Sequence, residues 1–156
     1  MATVVDNQLN AAALLARAKA ETGLDDWGDD TFEHRLGLAV NHINTIPMDV
    51  TGRQAAADNI NWLLTDRLKF FNDRKLYPLD EEVIDHPMFA TGEPRSGTTL
   101  MHALMSVDPD ARALRFWEVM HPSSPPGTVE GVDPRIALAD AEWEEINTKM
   151  WKWLHC

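Results

Sequence analysis

The feature that most restricts how this chain can fold is the stretch Met88-Phe89-Ala90-Thr91-Gly92-Glu93-Pro94-Arg95-Ser96-Gly97-Thr98-Thr99-Leu100. A short apolar run ends at Gly92, a loop of small residues follows, and from about Gly97 apolar residues recur at helical spacing. Leu100, Leu104 and Val107 fall at i, i+4 and i+7, and Met101 and Met105 widen the same face. The order predicted is strand, glycine-rich turn, helix. That geometry turns backbone N–H groups and a helix N-terminus toward an anion. Thr98 and Thr99 add hydroxyl donors, and Arg95 adds a permanent positive charge. The stretch is suited to holding a phosphate.

Gly92 and Gly97 keep the spacing of the nucleotide-binding pattern G-x-x-x-x-G-K-[ST], but Thr98 stands where the lysine belongs. That lysine reaches the terminal phosphates of a nucleoside triphosphate, so its absence disfavours an ATP or GTP hydrolase. The cation sits inside the loop instead, as Arg95. The run Pro94-Arg95-Ser96-Gly97-Thr98-Thr99-Leu100 resembles the 5′-phosphosulfate-binding loop of sulfotransferases. Asp108-Pro109, Arg112, Phe116-Trp117-Glu118 and a proline-rich turn from His121 to Pro126 then follow. That order is similar to the bacterial sulfotransferases with an arginine in the loop, relatives of the tyrosylprotein sulfotransferases. The resemblance runs from about Pro87 to Pro126.

The resemblance implies an α/β chain with a P-loop NTPase-like sulfotransferase fold. This chain would carry its N-terminal part, mostly helical around a central loop-bearing β-strand. It implies 3′-phosphoadenosine 5′-phosphosulfate (PAPS) as co-substrate, no metal, and an acceptor bearing a hydroxyl. The amides of Ser96, Gly97 and Thr98 and the hydroxyls of Thr98 and Thr99 would hold the 5′-phosphate. Arg95 would reach the bridging and sulfuryl oxygens, and Glu118 is the candidate base. His102 and His121 are weaker candidates for that role. The structural alternative is that Glu118 pairs with Arg112 or Arg115, or caps a turn.

Charge narrows the partners. The 156 residues carry 14 basic and 25 acidic side chains, a formal net charge of −11. Such a surface repels nucleic acid and anionic membranes, and it makes a local arginine site more informative. Cys156 is the only cysteine, which excludes an intramolecular disulfide and suits a reducing, cytoplasmic setting. No run of about 18 apolar residues suggests a membrane span. His34 and His42 do not have metal-ligand spacing.

Residues 1–80 read as a helical lead-in and 81–156 as the strand–loop–helix core. A first helix is expected from Asn7 to about Glu21, ending near Gly23. Asp25, Asp26, Asp29 and Asp30 precede a second, with the stripe Phe32, Leu36, Val40, Ile43; they suit capping rather than calcium binding. Thr51-Gly52-Arg53-Gln54 fits a capping box for a third helix, whose stripe is Ile60, Leu64, Leu68, Phe71, supported by Leu63. Trp62 is expected to pack. His86 precedes Pro87 and is expected to be extended. Ala111 to Phe116 fits a second short strand, and Pro122 to Pro134 a long loop. Asp133-Pro134 suits the start of a last helix, with the stripe Ile136, Ala139, Trp143, Ile146, Met150, Trp153. Its apolar end would pack against something and would allow self-association.

A loop strand of this type belongs in a parallel sheet, whose other strands would lie downstream. The chain is therefore expected to be an N-terminal portion of a longer enzyme. Two rival classes stand beside that reading. A P-loop kinase would bind magnesium and a nucleoside triphosphate; a non-catalytic module would assemble through the last helix.

Overall fold

Asn10 starts the first helix and Gly23 stops it. In the computed structural model, which describes residues 3–94, 96–123 and 133–154, α1 covers Ala11–Thr22. Asn10 Oδ1 accepts from the amide of Ala13 at 2.9 Å, and Gly23 adopts a left-handed φ of 70° that ends the turn. The expected start at Asn7 is too early. Val4–Val5 (β1) and Gln8–Leu9 (β2) form an antiparallel hairpin across Asp6 and Asn7, whose φ values are 49° and 57°. Two consecutive positive φ angles are what a tight hairpin turn requires, and Asp and Asn accept them readily.

The chain divides into two units, Met1–Glu81 and Glu82–Cys156. In the first, α2 (Phe32–Thr45) and α3 (Val50–Leu76) join α1. The core is Leu9, Leu14, Ala18, Trp27, Val40, Ala57, Leu64 and Leu68, with Phe32, Leu36, Ile43 and Ile60 packed on it. The stripes expected for α2 and α3 thus face the core, although Leu63 is exposed. Trp62 is half-buried. Asp49, not Thr51, caps α3: its Oδ1 accepts from the amide of Gly52 at 2.7 Å. A carboxylate with extended backbone at that position competes better for the free amides than a threonine already inside the helix.

Polar side chains finish this unit where helices alone cannot. Asn44 Oδ1 accepts from the Leu9 amide at 2.8 Å and Asn44 Nδ2 donates to the Leu9 carbonyl at 3.0 Å, so one amide side chain stands in for a neighbouring strand. Arg53, 2% exposed, donates to the carbonyls of Ile43 at 2.8 Å and Ile46 at 2.9 Å. A cation there meets the negative end of α2. Among the acidic residues after α1, Asp29 accepts from the hydroxyl and amide of Thr31 and pairs with Arg35, while Asp26 pairs with Lys75 at 2.6 Å. Both are turn and helix-start groups.

The second unit contains α4 (Thr98–Met105), α5 (Phe116–Met120) and α6 (Pro134–Leu154). The expected strand before the loop is not formed: Met88 to Gly92 has no ladder partner among the described residues, and Met88 and Phe89 are exposed. An extended segment becomes a strand only when a neighbour takes its N–H and C=O groups. Ala111 to Arg115 is irregular, and Phe116 begins a helix instead of ending a strand. His86, expected extended, has φ 49°. Pro134 is the first residue of α6, with Asp133 Oδ1 accepting from the Arg135 amide at 3.0 Å. Ala139 is buried and Trp143 meets Phe116 edge-on, whereas the Met150 and Trp153 side chains and loop residues 124–132 lie outside the described residues.

Candidate functional site

The loop between Gly92 and α4 closes through its smallest residues. Gly97 has φ 90° and ψ 15°, a conformation that costs a side-chain-bearing residue about 1–2 kcal/mol. Its carbonyl accepts from the Met101 amide at 3.0 Å and so opens the helix. A Cβ on Gly92 would stand 2.4 Å from Ser96 Oγ and 3.0 Å from Thr98 Cγ2, so the side chains at the two ends of the loop close on the glycine. The amides of Thr98 and Thr99 belong to the first turn of α4, where a helix has no acceptor of its own to offer. The Ser96 amide differs from expectation: it donates to Glu93 O at 3.1 Å and tightens the loop turn. Thr98 is half-buried, and Ser96, Gly97 and Thr99 are exposed. Arg95, the expected cation, lies outside the described residues.

The apolar face of α4 is not covered by the described residues of this unit. Leu100, Met101, Leu104 and Val107 are all exposed. The helix is thus presented by its cap and its loop rather than by burial of its stripe.

A cleft of about 640 Å³ lies beyond that helix, lined by His102, Ser106, Ala111, Arg112, Ala113, Leu114, Arg115, Trp117 and Glu118. Glu118 is its only acidic wall residue among the described residues. Both Glu118 oxygens are engaged: Arg112 Nη2 donates to Oε1 at 2.5 Å and the Arg115 amide donates to Oε2 at 2.7 Å. The pairing and capping alternatives read from the sequence therefore hold together. Each carboxylate oxygen has a second acceptor direction, so these bonds orient the group without exhausting it. His102, on α4, reaches the same cleft.

His121 turns elsewhere. Its Nε2 lies 2.8 Å from Glu142 Oε2 on α6, and its carbonyl accepts from Arg135 Nη1 at 2.9 Å. Arg135 also pairs with Asp133 at 2.6 Å and covers the Trp117 ring at 4.6 Å. The guanidinium beside Asp133 holds that carboxyl below the usual carboxylate range. Arg135 thereby ties α5 to the start of α6 and backs the cleft wall. Sequence reasoning passed over Arg135 and Glu142; the only local sign is an acid and an arginine flanking Pro134. Among the described residues, no three His, Cys, Asp or Glu side chains converge as metal ligands would.

No protein-family model matches the sequence, and no curated protein matches it significantly. Among solved structures, the sulfotransferase STF1 from Mycobacterium tuberculosis superposes on 93% of this chain with a TM-score of 0.77 and 27% sequence identity. The family likeness is to the sulfotransferases. It extends the resemblance carried by the loop residues to nearly the whole chain, helical lead-in included. The chain spans 41% of the length of that sulfotransferase. The mostly helical architecture expected from the sequence is thus that of a sulfotransferase's matching portion.

Proposed function

We propose that this chain supplies the donor loop of a sulfotransferase that moves a sulfuryl group from PAPS to an acceptor hydroxyl. The observation that carries the reading is the Gly92–Gly97 loop closing onto α4, found in a chain that superposes on a sulfotransferase. The loop fits a phosphate: the cradle is one that a Cβ at Gly92 would fill, and it leads into free first-turn amides.

In this reading the Gly97, Thr98 and Thr99 amides and the two threonine hydroxyls bind the 5′-phosphate. The Ser96 amide holds the loop turn through Glu93 O, and its hydroxyl faces the cradle. Arg95 offsets charge as the bond between sulfur and the phosphate oxygen breaks. The acceptor oxygen forms the new bond to sulfur and its proton passes to Glu118, kept in place by Arg112 and the Arg115 amide. No metal ligand enters this scheme. A reducing, cytoplasmic setting suits a chain with one cysteine.

The test is binding of 3′-phosphoadenosine 5′-phosphate, the donor product, by calorimetry. The full-length protein that carries this loop is expected to bind it without magnesium, and Arg95→Ala to abolish binding with the fold intact. Unchanged binding by Arg95→Ala overturns the loop assignment. Magnesium-dependent ATP binding instead would support a kinase.

A further inference from the structure

The cleft behind α4 has an unusual charge balance for this protein. The chain as a whole carries −11, yet among the described residues the cleft wall brings together Arg112, Arg115 and His102 against a single carboxylate, Glu118. That carboxylate does not neutralise both guanidiniums. It takes one Arg112 N–H and the backbone amide of Arg115. The Arg115 guanidinium has no ion-pair partner among the described residues. Arg112 is 72% exposed, and one engaged Nη2 leaves its other donors directed to solvent.

Two guanidiniums in a concave wall, each with unused donors, form a fork for an oxyanion. A general basic surface cannot account for them, because the surface is acidic. The rest of the wall is Ser106, Ala111, Ala113, Leu114 and the half-buried Trp117. The cleft therefore sets cations beside a few small and apolar side chains. Arg135 backs Trp117 from outside the lining and is already committed to Asp133 and two carbonyls.

We propose that Arg112 and Arg115 form an acceptor-side anion subsite, so that the acceptor carries an oxyanion such as a carboxylate in addition to the hydroxyl. This rests on the sulfotransferase reading above for the word acceptor; the anion subsite itself rests on the cleft. Glu118 then has a dual placement: it positions Arg112 and stands beside the hydroxyl that the anion anchors. A neutral alcohol of the same shape gains the apolar contacts only.

The experiment compares 4-hydroxyphenylacetate with its methyl ester, titrated calorimetrically into the 156-residue chain at low salt. One or two charge-assisted hydrogen bonds predict that the acid binds about tenfold more tightly than the ester. Arg112→Ala is expected to bring that ratio close to one, Arg115→Ala to reduce it severalfold, and Arg112→Lys to keep part of it. An unchanged far-UV spectrum for each variant certifies the fold. Equal binding of acid and ester by the unaltered chain overturns the proposal, as does a ratio that survives Arg112→Ala. Binding of 3′-phosphoadenosine 5′-phosphate is measured in parallel. If Arg112→Ala loses that nucleotide together with the ratio, the arginines serve the donor and the acceptor assignment falls. If the chain never binds the nucleotide but keeps its Arg112-dependent anion preference, the donor-loop reading fails and the anion subsite stands.

Discussion

Arg112 Nη2 lies 2.5 Å from Glu118 Oε1, and three residues on from Arg112 the Arg115 amide holds the other carboxylate oxygen at 2.7 Å. One acidic side chain thus caps α5 and pins a cleft arginine. Structural and chemical duties fall on the same carboxylate.

Those duties separate by energy. The Arg112 side chain is 72% exposed, so solvent screens the pair and Arg112→Ala is expected to lower stability by less than about 1 kcal/mol. Glu118→Ala also strips the Arg115 amide of its acceptor at the helix start, a loss of about 1 kcal/mol more. Urea unfolding of both variants and the double variant measures the coupling. A coupling above about 2 kcal/mol would make the pair a structural staple rather than a screened surface contact.

Gly92→Ala tests the loop. Its new Cβ would stand 2.4 Å from Ser96 Oγ and 3.0 Å from Thr98 Cγ2, so the Ser96 hydroxyl must turn out of the cradle and the Thr98 side chain must give way. Affinity for 3′-phosphoadenosine 5′-phosphate is expected to fall by about tenfold or more, as a displaced donor set loses charge-assisted hydrogen bonds. The core of the first unit should be untouched, which amide exchange at Leu14 and Leu68 would report. Wild-type affinity in this variant would show that the closed loop is not what binds.

Arg53→Met replaces a buried cation by an apolar chain of similar length. Two charge-assisted bonds to Ile43 and Ile46 carbonyls disappear and those acceptors are left without the guanidinium. The expected cost is about 2–4 kcal/mol, read from urea midpoints. Arg53→Lys should recover little of it, because a point charge cannot span two carbonyls in the way the planar fork does. Full recovery by lysine would mean that charge alone, not geometry, ties α2 to α3.

Acid should loosen the first unit. The Thr31 hydroxyl and amide, with Arg35, hold Asp29 at about 2 in the folded chain. Lys75 and the Gly28 amide depress Asp26, Arg17 and Asn61 depress Glu21, and Arg17 depresses Asp58. A depressed carboxyl contributes stability that is complete above its unfolded pKa of about 4 and is lost as pH falls through the folded value. Unfolding midpoints are therefore expected to be flat from pH 7 to about 5 and to drop from there toward 2. Asp29→Asn should flatten the lower part of that drop. A midpoint that rises on acidification would reverse the sign and refute the assignment.

Much of this was legible beforehand. Glycine spacing around Gly92 and Gly97 marked the loop, and the i, i+4 stripes marked α2, α3 and α4, because both follow from local backbone sterics and helical periodicity. Asn44 was not legible as a strand substitute for Leu9, since the two lie 35 residues apart and nothing local links them. Nor was Arg53, which stood inside the expected capping box and instead serves the end of a different helix. Trp27, buried beside Phe32, sat in a stretch that read only as acidic.

What sequence alone determined, then, is the local grammar: where glycine must bend the chain, which faces of helices are apolar, and which residues could hold a phosphate. Tertiary structure decided the pairings: Glu118 with Arg112, His121 with Glu142, and Arg135 with both Asp133 and the Trp117 ring. It also left Met88 to Gly92 without a ladder partner among the described residues. A helix satisfies its own backbone, so residue spacing suffices to foretell it; a strand is completed by its neighbours, and those belong to the fold rather than to the segment.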